Sequence, residues 1–104
     1  MAEIDDAVAQ SLNKFLAAVQ EQRQVQAAYV YGSQATGTAT EWSDIDVAVI
    51  SPDFASDLFE ERLFLMLLAA LVDDRIEPHP FKPEDFDTRS PLVSEICRTG
   101  VRVV

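Results

Sequence analysis

The chain has 104 residues, 48% hydrophobic and 25% charged, enough for one soluble domain (1–104) with its own core and too short for two. A formal net charge of −10 and a pI near 4.2 argue against broad nucleic-acid binding, which needs Lys and Arg clustered against the phosphates. Cys97 is the only cysteine, which excludes an internal disulfide and makes a reducing cytoplasm the natural setting.

The acidic start, Met1-Ala2-Glu3-Ile4-Asp5-Asp6, lacks the basic-then-apolar layout of a secretory signal. Ile4, Val8, Leu12, Phe15, Leu16 and Val19 recur at helical spacing and predict an amphipathic helix ending near Glu21-Gln22-Arg23. Gln26 to Tyr31 reads as a strand, broken by Gly32-Ser33-Gln34-Ala35-Thr36-Gly37. A second strand runs from Asp44 to Ile50 and closes at Ser51-Pro52-Asp53. Asp57 to Val72 is a long helix, with Ser56 or Asp57 as its cap and Glu60 as the capping-box partner of Asp57. It carries Glu60, Glu61 and Arg62 and is too short to span a bilayer.

Arg75 to Glu77 predicts a short third strand, with Glu77 at its end or on an edge because Pro78 follows. His79 to Thr88 reads as a loop, with one helical turn after Pro83. Ser90-Pro91 starts a short helix, Gly100 ends it, and Val101 to Val104 adds a last strand. This order predicts an α+β fold, α/β-like, with a small mixed sheet and helices packed on one face.

The chemistry is concentrated in two segments. Asp44 and Asp46 are two apart on a strand, so their side chains point to one face, roughly 7 Å apart along the chain, while Ile45, Val47 and Val49 point to the other. Paired carboxylates repel unless a cation lies between them, and oxygen donors suit Mg²⁺ shared with substrate phosphates. Gly32-Ser33 sits where the preceding strand turns toward a helix. Gly lets the backbone approach a phosphate, and the Ser33 hydroxyl and the N–H groups of a helix start can hold its oxygens. Together they form a coherent site for a nucleoside triphosphate.

The run Gly32-Ser33-Gln34-Ala35-Thr36-Gly37 followed by Ser43-Asp44-Ile45-Asp46-Val47-Ala48-Val49 resembles the signature of the DNA polymerase β-type nucleotidyltransferase superfamily. It is most similar to the minimal, antitoxin-like nucleotidyltransferase (MNT) proteins, in which the catalytic domain stands alone. The resemblance implies that Gly32 and Ser33 contact the triphosphate and that Asp44 and Asp46 hold two Mg²⁺ ions. It also implies a third carboxylate on a neighbouring strand that completes the metal site and acts on the acceptor hydroxyl, best matched by Glu77, with Asp74 as the fallback. Thr36 stands where close relatives often carry Arg, and Glu77 is followed by Pro rather than an apolar residue.

The implied activity is transfer of a nucleoside monophosphate, AMP from ATP, to a hydroxyl acceptor presented by another molecule. In minimal members that molecule is often an all-helical HEPN ribonuclease toxin, adenylylated on a tyrosine. The alternative is a binding module, catalytically weak, that neutralises such a partner by contact.

The remaining polar and aromatic residues have plainer readings. His79, between two prolines, reads as structural or exposed, Trp42 and Tyr31 as core or rim packing, Lys82 and Arg75 as solvated charges, and Cys97 as a small core residue. The second half of the long helix has little polar face. It is either deeply central or carries an exposed apolar stripe for a partner or a second copy of the chain.

Overall fold

A computed structural model describes residues 4–104. The head of the acidic start, Met1 to Glu3, lies outside the described residues. Asp5 caps the first helix, α1 (Asp6–Gln20), by accepting a hydrogen bond from the Ala7 N–H at 3.1 Å. Strand β1 (Ala27–Tyr31) leads into the single-turn helix α2 (Ser33–Thr36), then β2 (Ile45–Ile50) and helix α3 (Leu58–Val72). Strand β3 (Ile76–Phe81), a 3₁₀ turn (Pro83–Asp85), α4 (Pro91–Thr99) and the two-residue strand β4 (Val101–Arg102) complete the chain.

The strands form one mixed sheet in the order β3-β2-β1-β4. β1 runs antiparallel to both β2 and β4, while β2 and β3 are parallel, and α3 supplies the crossover that a parallel pair requires. Alternation along the strands divides the sheet into two faces. On one, Ala28, Val30, Ile45, Val47, Val49 and Ile76 pack against Val8, Leu12, Phe15, Leu16 and Val19 of α1 and Leu65 and Ala69 of α3. This is the predicted small mixed sheet with its two long helices on one face. On the other face a smaller cluster gathers Ala27, Ala48 and Ile50 around Ile96 of α4, with Tyr29, Tyr31, Phe81 and Phe86 against it. The short α4 thus covers part of the opposite face, while Glu77, on the β3 edge of that face, is exposed.

β3 is longer than the sequence predicts. It continues through Pro78 and Pro80 to Phe81, in place of the predicted loop from His79 onward. The reason is its position at the sheet edge. The Arg75 carbonyl accepts from the Ile45 N–H at 2.8 Å and the Phe81 carbonyl from the Ser51 N–H at 3.0 Å, so odd-numbered residues face β2. Pro78 and Pro80 point their missing N–H outward, where no ladder bond is lost. Prolines along an outer edge also oppose pairing with another strand.

Two ion pairs fix the loops around the sheet. Arg23, just beyond α1, makes two hydrogen bonds to the buried Glu61 of α3, at 3.2 and 3.0 Å, and the same carboxylate accepts from the Ala55 N–H at 3.3 Å. The second, between Arg75 and Asp73 at 2.9 Å, joins the end of α3 to the residue before β3. Asp57 caps α3 through the Phe59 N–H at 3.1 Å. The α3 face turned from the sheet carries Phe59, Leu63, Met66, Leu67 and Leu71 in solvent, Leu71 being 84% exposed. The exposed-stripe reading of this helix is therefore the observed one. Among the described residues no helix is long and apolar enough to cross a membrane.

Candidate functional site

The site begins at the glycine that ends β1. Gly32 has φ 74° and ψ −148°, a conformation nearly restricted to glycine. That bend turns the chain at once into α2, whose first residue is Ser33, and it brings the Gly32 backbone against the next strand. A Cβ on Gly32 would lie 2.8 Å from Asp46 Oδ2. The first N–H groups of α2 have no partner within the helix, and Ser33 is half-buried beside them. Gln34 is buried, and its Nε2 donates to the Asp44 carbonyl at 3.4 Å, tying α2 to the chain entering β2.

Asp46, the second residue of β2, stands opposite Tyr31 across the antiparallel ladder and opposite Glu77 across the parallel one. Register partners share a face, so Tyr31, Asp46 and Glu77 project from the sheet together. His79, two residues beyond Glu77, projects from the same face opposite the small Ala48. Its Nε2 lies 4.0 Å from Asp46 Oδ1, and its ring centroid is 5.9 Å from that of Tyr31. One donor atom each from Asp46, Glu77 and His79 falls within 4.8 Å of the others. Two carboxylate oxygens and an imidazole nitrogen at this spacing are a donor set that fits a divalent metal ion.

The predicted site residues are thus brought together in part. Gly32, Asp46 and Glu77 converge, with Ser33 adjoining them. Asp44 lies immediately before β2, is exposed, and its carboxylate stands outside the three-donor group. Asp74, the alternative to Glu77, lies in the turn before β3 and is likewise outside the group.

His79 is the residue that sequence reasoning misses. Its signal is the Glu-x-His spacing, which puts both side chains on one strand face, and reading Pro78 as the end of the strand hides it. Trp42, expected in core or rim packing, is 85% exposed. Cys97, expected in the core, is exposed as well. Arg75 is engaged rather than solvated. It holds the Asp73 carboxylate through Nε at 3.2 Å and Nη2 at 2.9 Å, and donates through Nη1 to the Glu41 carbonyl at 3.3 Å. It therefore anchors the loop that carries Asp44.

Electrostatics at the site follow from partial burial beside negative charge. Burial, reinforced by Asp46 and then Glu77, pushes the Tyr31 hydroxyl up to about 12, against a small opposing effect of Arg62. His79 is held below the usual imidazole range, first by burial and then by Arg62, with Asp46 and Glu77 pulling the other way.

Known proteins share this sequence pattern and this fold. The sequence profile of the nucleotidyltransferase domain matches residues 12–99, a span that includes Gly32, Ser33, Asp44, Asp46 and Glu77. The fold is similar to the crystal structure of a candidate nucleotidyltransferase from Sulfolobus solfataricus, at 14% identity and a TM-score of 0.53, over 98% of this chain and 89% of that one. No curated protein matches the chain in sequence. A profile match over most of the chain places it in the nucleotidyltransferase domain family, whose general chemistry is nucleotidyl transfer.

Proposed function

We propose that this domain moves AMP from ATP to a hydroxyl on a separate acceptor, acting as a protein adenylyltransferase. The observation that carries the reading is the register pairing of Asp46 with Glu77 beside the glycine turn. Two carboxylates from neighbouring strands face one opening next to a backbone suited to phosphate oxygens. Ser33 and the first N–H groups of α2 hold the terminal phosphates. Asp44, Asp46 and Glu77 would hold the metal ions. Two bound divalent ions, with Mg²⁺ as the expected species, would neutralise phosphate charge and favour ionisation of the attacking hydroxyl. Glu77 positions that hydroxyl and accepts its proton. The acceptor oxygen attacks the α-phosphorus in line, and pyrophosphate leaves.

The acceptor is proposed to be a tyrosine on an all-helical HEPN-type partner, as the minimal antitoxin-like relatives imply, in a cytoplasmic setting. The apolar stripe of α3 supports association with a helical partner; it lies on the sheet face opposite the site, so the partner would have to reach round the sheet to present its tyrosine. A second reading, a binding module with weak chemistry, is favoured by one feature: the Asp44 carboxylate stands outside the three-donor group.

The deciding experiment mixes the protein with α-labelled ATP, a divalent metal and the product of the adjacent gene, the test requiring that this product be an all-helical HEPN-type protein. Label on the partner that disappears with Asp46→Asn and Glu77→Gln supports the enzyme. Tight association without any label, under conditions where nucleotide binds, leaves only the binding module.

A further inference from the structure

The donor group between β2 and β3 sets one imidazole beside two carboxylates, and the inference drawn from it rests on the proposed catalytic site. We infer that His79 is a specificity-determining ligand, making the Asp46–Glu77–His79 position selective for a borderline transition ion of the Zn²⁺ type over Mg²⁺. The Asp44 and Asp46 carboxylates offer oxygen donors only, and an ion they held would keep the preference for Mg²⁺.

Alternation on β3 puts His79 on the face of Glu77, and its cross-strand neighbour Ala48 leaves room for the ring. Tyr31 flanks it at 5.9 Å between centroids. Its side chain is only 30% exposed, so it stands within the wall of the site rather than at its rim. Nε2 is the nitrogen that faces Asp46 Oδ1, at 4.0 Å. Two donors sharing an ion at about 2.1 Å each can be no more than roughly 4.2 Å apart, so this separation is within reach of joint ligation. A direct hydrogen bond between them would need a distance nearer about 2.9 Å. Imidazole nitrogen favours zinc and other transition ions, whereas Mg²⁺ takes oxygen and water and releases its waters reluctantly. Replacing one oxygen donor by nitrogen therefore tilts this position away from Mg²⁺.

His79 is the only histidine in the chain, so imidazole signals from tag-free protein report on it alone. The test titrates ¹⁵N-labelled protein, without nucleotide, with Zn²⁺ and separately with Mg²⁺, and pairs this with calorimetry. Expected is a stoichiometric shift of the Nε2 resonance with Zn²⁺, little movement with Mg²⁺, and Zn²⁺ affinity at least about ten-fold the higher. His79→Ala should weaken Zn²⁺ by about ten-fold or more and leave Mg²⁺ within about two-fold. His79→Asn serves as a second variant should alanine disturb the fold. An unmoved ring while calorimetry registers bound Zn²⁺, equal loss of both metals in the variant, or no Zn²⁺ binding by the unsubstituted protein would overturn the inference. Asp46→Asn separates the two levels. If it abolishes metal binding while the His79 variants behave as the parent, only the selectivity fails. If it leaves both metals bound unchanged, the proposed site itself fails.

Discussion

Gly32 and Asp46 are packed so closely that a single added carbon would displace a carboxylate. A Cβ at position 32 would meet Asp46 Oδ2 at 2.8 Å, and the backbone there has a positive φ of 74°. Gly32→Ala is therefore expected to act twice. Backbone strain should cost about 1–3 kcal/mol of stability. Displacement of the carboxylate should lower nucleotidyl transfer by about 100-fold, since a misplacement near 1 Å is that costly. Thermal melts and single-turnover transfer check both. Full transfer by a destabilised variant would mean that the Asp46 carboxylate is not where the chemistry happens.

Asp46 and Glu77 face each other directly across a parallel ladder, and like charges so placed repel. Glu77→Gln should thus raise the stability of the metal-free protein slightly, by about 0.2–1 kcal/mol. The same change should remove most of the stabilisation that saturating divalent metal confers, since a ligand stabilises only as far as it binds the folded state. Melting curves with and without metal show the opposite signs. A variant that keeps the full metal-dependent rise would remove Glu77 from the metal site.

Tyr31 offers a pH signature. Its hydroxyl ionises near 12 because burial and then Asp46 and Glu77 disfavour the phenolate. A folded-state value above the unfolded one near 10 means that Tyr31 favours folding fully below about pH 10. That contribution declines as pH rises from there toward 12. Tyr31→Phe should show a shallower loss of stability over that interval than the parent, measured by denaturant melts at stepped pH. Asp46→Asn should move the phenolate absorbance transition to lower pH.

Much of this architecture is legible in the sequence. The helical recurrence from Ile4 to Val19 marks α1, and the alternation of Ile45, Val47 and Val49 with Asp46 and Ala48 marks β2 and assigns its two faces. β3 is only half legible, because Pro78 and Pro80 look like breakers until an edge position is known. His79 is lost with that half strand. α3 hides its buried face because apolar residues run nearly all round it, so no period distinguishes Leu65 and Ala69 from Leu67 and Leu71. Glu61, which looks like a surface charge, is buried because Arg23, far away in sequence, meets it. Such pairings are set by tertiary packing and leave no local trace.

Asp73 is a second titration test, away from the site. Arg75 and, more weakly, the Ser11 hydroxyl at 3.2 Å hold its carboxyl down at about 2 despite the opposing effect of burial. A depressed folded value means stability that is present above the unfolded value, about 3.9, and disappears as pH falls toward 2. Asp73→Asn should cost on the order of 1–2 kcal/mol at pH 7 and approach the parent in acid. Because Arg75 also holds the Glu41 carbonyl, the loop before Asp44 should loosen, seen as faster amide exchange around residues 38–43. Unchanged exchange there would mean that Arg75 does not anchor the loop.

The exposed stripe of α3 gives the sharpest contrast between neighbouring residues. Leu65 is fully buried in the main core, while Leu67, two residues on, is 70% exposed and Leu71 84%. Leu65→Ala removes packed atoms and leaves a cavity, so about 2–5 kcal/mol should be lost. Leu67→Glu or Leu71→Lys touches no packed interior of the isolated domain and should change stability by no more than about 0.5 kcal/mol. Those stripe variants should also leave metal binding intact, since the stripe lies across the sheet from Asp46. Where they differ from the parent is in association. If the stripe is where a partner docks, a charge at its centre should weaken capture of the acceptor protein and slow label transfer at limiting partner, with metal affinity unaltered. A stripe variant that unfolds the isolated domain would instead make these leucines part of the core, and an exposed docking face could not be built from them.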